Sequence, residues 1–179
     1  CTTTARITNT PGDEAIPIKR TAINSGQQNA ENALFFMSFS GGGTRAAALT
    51  YGVLEELRDT TFVFDGQEKR LLDEVDSISS VSGGSFTAAY YALYGDRIFE
   101  DYEEVVLRRN VQKTLIGSVL NPVNWLRMAF TKLNRTELAI NYYDRHIFHG
   151  STFADIEARD GPYVEINATD LGIGERFTF

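Results

Sequence analysis

Ala33-Leu34-Phe35-Phe36-Met37-Ser38-Phe39-Ser40 runs directly into Gly41-Gly42-Gly43-Thr44-Arg45, and this junction decides the reading of the fold. The first segment is short, almost continuously apolar and aromatic, and closed by glycines, which is how a strand buried on both faces reads. Beyond the glycines, Ala47, Ala48, Tyr51, Leu54 and Leu57 recur near helical spacing over Thr44 to Arg58, with Glu55, Glu56 and Arg58 largely off that face. A polar, turn-rich stretch around Asp65-Gly66 follows. The pattern then repeats: the later part of Leu71–Val81 reads as a strand, Ser82 ends it, and Gly83, Gly84, Ser85, Ala88 and Ala89 open a small-residue helix that stops near Gly95. Two strand–turn–helix units in succession imply a largely parallel sheet covered by helices on both sides.

Further along, a helix is expected over Asp101–Lys113, with acidic residues in its first turn and Arg108, Arg109 and Lys113 in its later turns, as the macrodipole favours. No Asp or Glu occurs between Val105 and Arg135, where basic residues alternate with aliphatic and aromatic ones. Trp125, Arg127, Phe130 and Lys132 are therefore candidates for a membrane-interface segment. The competing reading packs the apolar members inward and leaves the basic ones solvated. Ser151–Glu157 reads as a capped short helix, Pro162–Thr169 as a strand, Gly172-Ile173-Gly174 as a turn and Arg176–Phe179 as a further strand. There is no internal repeat.

The chain has 179 residues, 42% of them hydrophobic, which suits one domain. Its net charge of −7 argues against a nucleic-acid binder that works through an overall positive field. No apolar run reaches the roughly 18 residues needed to span a bilayer. The sole cysteine is Cys1, so a disulfide within the chain is excluded. A chain beginning at cysteine, followed by a polar tract with Pro11-Gly12 and Ser25-Gly26, fits a processed bacterial lipoprotein. Cys1 would carry the lipid, residues 1–30 would be a flexible tether and residues 31–179 the domain. The alternative is a chain boundary that falls at Cys1 by chance.

Serine becomes a nucleophile only when a base takes its proton and donors stabilise the oxyanion it creates. Ser82, placed at the first turn of a helix and followed by Gly83 and Gly84, has the setting of an exposed elbow. Gly41-Gly42-Gly43 can bring bare backbone N–H groups to one point, as an oxyanion hole requires. A dinucleotide-type phosphate loop competes, since Gly41 and Gly43 with Ala46 mimic its spacing, but Arg45 would crowd a pyrophosphate. A glycine turn required only for packing is the third reading.

Phe39-Ser40-Gly41-Gly42-Gly43-Thr44-Arg45-Ala46, then Val81-Ser82-Gly83-Gly84-Ser85, then Ile166-Asn167-Ala168-Thr169-Asp170-Leu171 resemble, in order and spacing, the patatin-like phospholipase family. The resemblance implies a three-layer α/β/α fold with a mainly parallel sheet. It also implies Ser82 as nucleophile and a loop from Gly41 to Arg45 as oxyanion hole, with Gly42, Gly43 and Thr44 as donors and Arg45 shaping the loop. The family's base is an aspartate, with no histidine, in an Asp-Gly pair downstream of the Asn167–Leu171 strand. Ser80 stands where the family's elbow has its first glycine, and the chain reaches Phe179 before that Asp-Gly, so a domain truncated at its C-terminus is expected, inactive by itself. Asp160-Gly161 has the right letters but precedes the strand, and Asp170 is expected to be structural.

The implied activity is a serine lipid acyl hydrolase, of phospholipase A or lysophospholipase type, working through a Ser–Asp dyad. No cofactor or metal is called for. Its partners would be a phospholipid or other acyl lipid and a membrane surface, and its location the bacterial cell envelope, anchored to the outer membrane because Thr2 rather than aspartate follows Cys1. Two alternatives stand beside it. One is a non-catalytic lipid-binding envelope protein on the same fold. The other is a Ser-His-acid α/β-hydrolase using His146 or His149, for which no acidic residue in a recognisable context precedes the histidines.

Overall fold

A computed structural model of the chain describes residues 34–64, 66–109, 135–159 and 161–179. Strand β1 (Phe35–Phe39) leads through the glycines into helix α1 (Gly43–Asp59), and a hairpin of β2 (Thr61–Phe64) and β3 (Gln67–Arg70) follows. A 3-10 turn at Leu71–Glu74 feeds strand β4 (Val75–Val81), which passes through Ser82 into helix α2 (Gly83–Tyr94). Helix α3 (Ile98–Tyr102) continues as a π-helical turn over Glu103–Leu107. Helix α4 (Arg135–Tyr143), extended by a π-helical turn at Asp144–Phe148, helix α5 (Phe153–Glu157) and strands β5 (Tyr163–Thr169) and β6 (Arg176–Thr178) complete the described elements.

The main sheet has the order β1-β4-β5-β6, with β1, β4 and β5 mutually parallel and β6 antiparallel to β5. The chain is thus an α/β protein with a mixed, mainly parallel sheet. Register aligns Met37 with Ile78 and Val164, and Phe39 with Ser80 and Ile166. Partners in register share a face, and this face carries the core: Phe39, Ile78, Ser80 and Val164 are all buried. Helix α2 packs across β1, β4 and β5, and α1 packs against α2.

The spacing of apolar residues explains the helices. In α1, Ala46, Ala47, Thr50, Tyr51 and Leu54 are buried, a stripe that follows the turn of the helix. The helix ends where Thr60 turns extended and both its N–H (2.9 Å) and its hydroxyl (2.7 Å) bond the Glu56 carbonyl. Helix α2 ends at Gly95, whose φ of 56° suits a residue without Cβ. Thr152 and Asp155 cap α5 reciprocally, as its sequence predicts.

Two expectations need correction, and one stretch takes a form that its sequence left unassigned. β1 is not buried on both faces: only Phe39 is buried, and Phe36 is 62% exposed. Alternation sends Phe36 and Ser38 to the face away from α2, and β1 stands at the sheet edge among the described residues. The helix expected to start at Asp101 starts at Ile98, because Ile98, Tyr102 and Val106 form the buried stripe. Its charge pattern did not locate its start, and the described helical path ends at Leu107, with residues 110–134 outside the described set. The polar link after α1 carries a β-hairpin, in which Thr61 pairs with Arg70 and Phe64 with Gln67, and Gly66 turns at a φ of 75°.

One buried polar node ties the helical layer together. The Thr87 hydroxyl, fully buried on α2, lies 3.0 Å from the Ala47 carbonyl of α1 and 2.6 Å from the Tyr102 hydroxyl. Burial pushes the Tyr102 phenol well above its ordinary pKa, with the Thr87 hydrogen bond working against that rise. Thr87→Val keeps the shape but strands the Tyr102 hydroxyl in the core, and is expected to cost about 1–3 kcal/mol. Urea unfolding monitored by circular dichroism measures this, and a midpoint equal to the parent's would contradict it.

Candidate active site

The site forms where β1 and β4 both pass into helices. Parallel neighbours carry their C-terminal ends to one rim of the sheet, so the Gly41–Gly43 turn after β1 and Ser82 after β4 emerge side by side. At that rim the two turns touch. A Cβ placed on Gly41 would come within 3.2 Å of the Ser82 Cβ and 3.7 Å of its Oγ. One placed on Gly84 would come within 2.8 Å of both the Phe39 Cβ and the Ser40 carbonyl oxygen. At Gly83 it would collide with the Gly43 carbonyl oxygen and stand 2.9 Å from that residue's backbone N and C. The glycines of the elbow are therefore required by the close approach of another stretch of main chain.

Ser82 itself lies at φ 53° and ψ −119°, a region that residues with a side chain rarely occupy. Among the described residues only His149, at φ 52°, is a second non-glycine with positive φ. Such backbone persists only where the surroundings over-determine it, at a cost of about 1–3 kcal/mol. Here the packing of Gly83 and Gly84 against Gly43, Ser40 and Phe39 supplies that constraint. The side chain is exposed. On the facing turn Gly42, at φ 143°, and Gly43, at φ 63°, are both in backbone territory that favours glycine, and Gly42 caps α1 without any side-chain hydrogen bond. Among the described residues no N-cap side chain bonds the first N–H groups of α1. Thr44 and Arg45, the next residues of α1, are exposed.

Ser80 stands two residues before Ser82, at the end of the strand that leads into the elbow. It is a regular residue of β4, 2% exposed, and its hydroxyl donates to the Glu165 carbonyl of β5 at 3.1 Å. It fastens the strand that carries Ser82. Asn167 does the same from the other side, a role that its place in the Ile166–Leu171 motif does not reveal. Its Nδ2 donates to the Ser79 hydroxyl (2.9 Å) and the Ser80 carbonyl (3.2 Å), while its Oδ1 accepts from Thr178 at 2.9 Å. An amide in an alternating strand opposite a serine-rich strand was the available signal. The Ser85 N–H bonds the Ser82 carbonyl at 3.0 Å, and its own hydroxyl is buried without a hydrogen-bond partner among the described residues.

A family model for patatin-like phospholipases matches residues 37–162. The chain belongs to the patatin-like phospholipase family. Among solved structures, human GIVD cytosolic phospholipase A2 in complex with methyl gamma-linolenyl fluorophosphonate inhibitor and terbium chloride is similar at 21% identity with a TM-score of 0.48. That match covers 89% of this chain and 25% of the other, so the chain spans about a quarter of that protein's length. No curated protein sequence matches it.

The remaining residues singled out from the patatin-like sequence fall elsewhere. Asp170 is structural in its contacts: its carboxylate accepts the Gly172 N–H at 2.7 Å, and its backbone closes the turn between β5 and β6. His146 is exposed with its ring against Tyr142, centroids 4.7 Å apart. His149 ends the π-helical turn after α4 in left-handed backbone, its N–H bonded to the Asp144 carbonyl at 2.5 Å. Cys1, Trp125, Arg127, Phe130, Lys132 and Asp160 lie outside the described residues. Among the described residues no group of three or more His, Cys, Asp or Glu could hold a metal ion.

Proposed function

We propose that this chain carries the nucleophile and oxyanion hole of a serine lipid acyl hydrolase of phospholipase A or lysophospholipase type. The observation that carries the reading is the exposed Ser82, held at φ 53° and ψ −119° against the Gly41–Gly43 turn. In this reading Ser82 Oγ attacks the ester carbonyl of an acyl lipid while its proton passes to an aspartate. The carbonyl oxygen, now negative, accepts hydrogen bonds from the N–H groups of Gly42, Gly43 and Thr44, aided by the positive end of α1. Collapse breaks the ester bond, the aspartic acid returns its proton to the departing alcohol, and the acyl group stays on Ser82. Water then repeats the sequence in reverse and releases the fatty acid.

The aspartate is the family's Asp-Gly residue downstream of β5. Nucleophile and base act as a unit, so residues 1–179 by themselves are expected to turn over little. The test is a fluorophosphonate probe applied to the complete protein, followed by peptide mapping. The expected adduct lies on Ser82; a complete, folded protein that takes up no probe, or takes it up at another serine, would overturn the assignment.

A further inference from the structure

We infer that Asp76 is a positioning residue for the nucleophile: from the far end of β4 its carboxylate fixes the register of β1, and that register decides which residue of the glycine turn meets Ser82. The inference rests on the reading of Ser82 as nucleophile. The first residues of the two strands, Phe35 and Val75, are partners, but Phe36 is partnered by Ser77, so Asp76 is an extra residue on β4 with no counterpart on β1. From there the pairing is regular, through to Phe39 with Ser80. Carried two residues further, it sets Gly41 opposite Ser82, which is where the contact lies: a Cβ on Gly41 would come within 3.2 Å of the Ser82 Cβ. The register of Phe35 with Val75, carried unbroken to the rim, would set Gly42 there instead. The extra residue thus moves the turn by one place, about 3.3 Å, from the other end of a strand about 20 Å long.

Asp76 is built into that irregularity. It is 5% exposed, and its carboxylate accepts the Phe35 N–H at 2.6 Å, a charge-assisted bond across the point where the register changes. Ser77, the next residue, is the first of β4 to pair with both β1 and β5, so the bulge lies just outside the part of the strand that both neighbours hold. Strand β1 needs such a pin because its own pattern is ambiguous. Leu34-Phe35-Phe36-Met37 is apolar at every position, so a slip by one residue exchanges Phe35 and Met37 for Leu34 and Phe36 on the core face. Only Phe39, buried where Ser38 would replace it, opposes the slip from the other end. Taking a carboxylate out of water is costly, and apolar packing has no use for one here. What it supplies is a fixed acceptor at the bulge, and specifying register is the best-attested use of a buried polar group.

The experiment uses the complete protein and a fluorophosphonate probe, at a temperature where circular dichroism shows every variant folded. Asp76→Ala removes the acceptor and is expected to lower the maximal rate constant for labelling Ser82 by about tenfold or more, with the half-saturating probe concentration little changed. Asp76→Asn, whose amide oxygen still accepts the Phe35 N–H, should label at nearly the parent's rate. Amide hydrogen exchange over residues 34–41 reads the register without chemistry: it should quicken in Asp76→Ala and not in Asp76→Asn. A folded Asp76→Ala protein that labels at the parent's rate, or an asparagine variant as slow as the alanine one, would overturn the inference. A parent that takes up no probe at Ser82 counts against the nucleophile reading instead. Amide exchange then decides the register alone, unchanged exchange in Asp76→Ala overturning the role of Asp76 and quickened exchange supporting it. Should Asp76→Ala fail to fold, Phe35→Pro removes the donor in place of the acceptor, at the first residue of an edge strand where proline is tolerated. The same losses are expected of it, and labelling and exchange at the parent's level would overturn the inference.

Discussion

Ser82→Ala in the complete protein is expected to lower hydrolysis of an acyl ester by on the order of 10³-fold or more and to abolish fluorophosphonate labelling, while leaving the fold intact. The substitution removes the attacking oxygen and nothing that holds the structure, because the side chain is exposed. Ser82→Gly sharpens the test. It also removes the hydroxyl, but it allows the backbone its φ of 53° without a Cβ. The glycine variant should therefore be as inactive as the alanine variant and more stable by about 1 kcal/mol or more. Gained stability with lost turnover is the signature of strain kept for function. If both variants retained ester hydrolysis, another group would have to be the nucleophile. If Ser82→Gly were less stable than wild type, the backbone at this point would not be strained.

Gly83→Ala has the larger structural effect. Its new methyl group would meet the main chain of Gly43, not the end of a side chain that could swing aside. Either α2 must draw back or the glycine turn must move, and both separate Ser82 from its proposed oxyanion donors. A loss of about 1–3 kcal/mol in stability is expected from forced overpacking. Displacement by even about 1 Å would lower turnover by on the order of 10²-fold. Gly52→Ala is the matched control: it lies within α1, exposed, with nothing within 4 Å of an added Cβ. There the substitution should stabilise by about 0.5–1 kcal/mol, since alanine loses less entropy in a helix. Thermal melts of the two variants, with probe labelling as the readout of the site, check the pair. A Gly83→Ala protein that melts with wild type and labels at the wild-type rate would show that the two turns are not in contact in solution.

Several elements were legible because local pattern and tertiary role agree. Helix α1 follows its apolar stripe, α2 stops at a glycine that takes positive φ, and α5 carries its cap in its letters. The elbow and the glycine turn were legible as chemical types. What misled was any feature whose meaning depends on a distant partner. The aromatic run of β1 looked buried throughout, yet Phe36 faces away from the helical layer. The letters of Ser80 did not show that its hydroxyl anchors β4 to the Glu165 carbonyl of β5. Asn167 was visible as part of a motif but its contacts were not, because its three hydrogen-bond partners lie on β4 and β6.

The amino-acid sequence alone determined the alternation of strand, turn and helix, and the residue types available for chemistry at the two turns. Periodicity and capping are encoded among near neighbours, and near neighbours are what a sequence displays. Only the tertiary structure decided that the turn after β1 lies against the turn after β4, and that Ser82 is held where a serine has no local reason to be. That backbone conformation opposes the intrinsic preference of its residue, and it is imposed by the contact of Gly83 and Gly84 with the chain from Phe39 to Gly43.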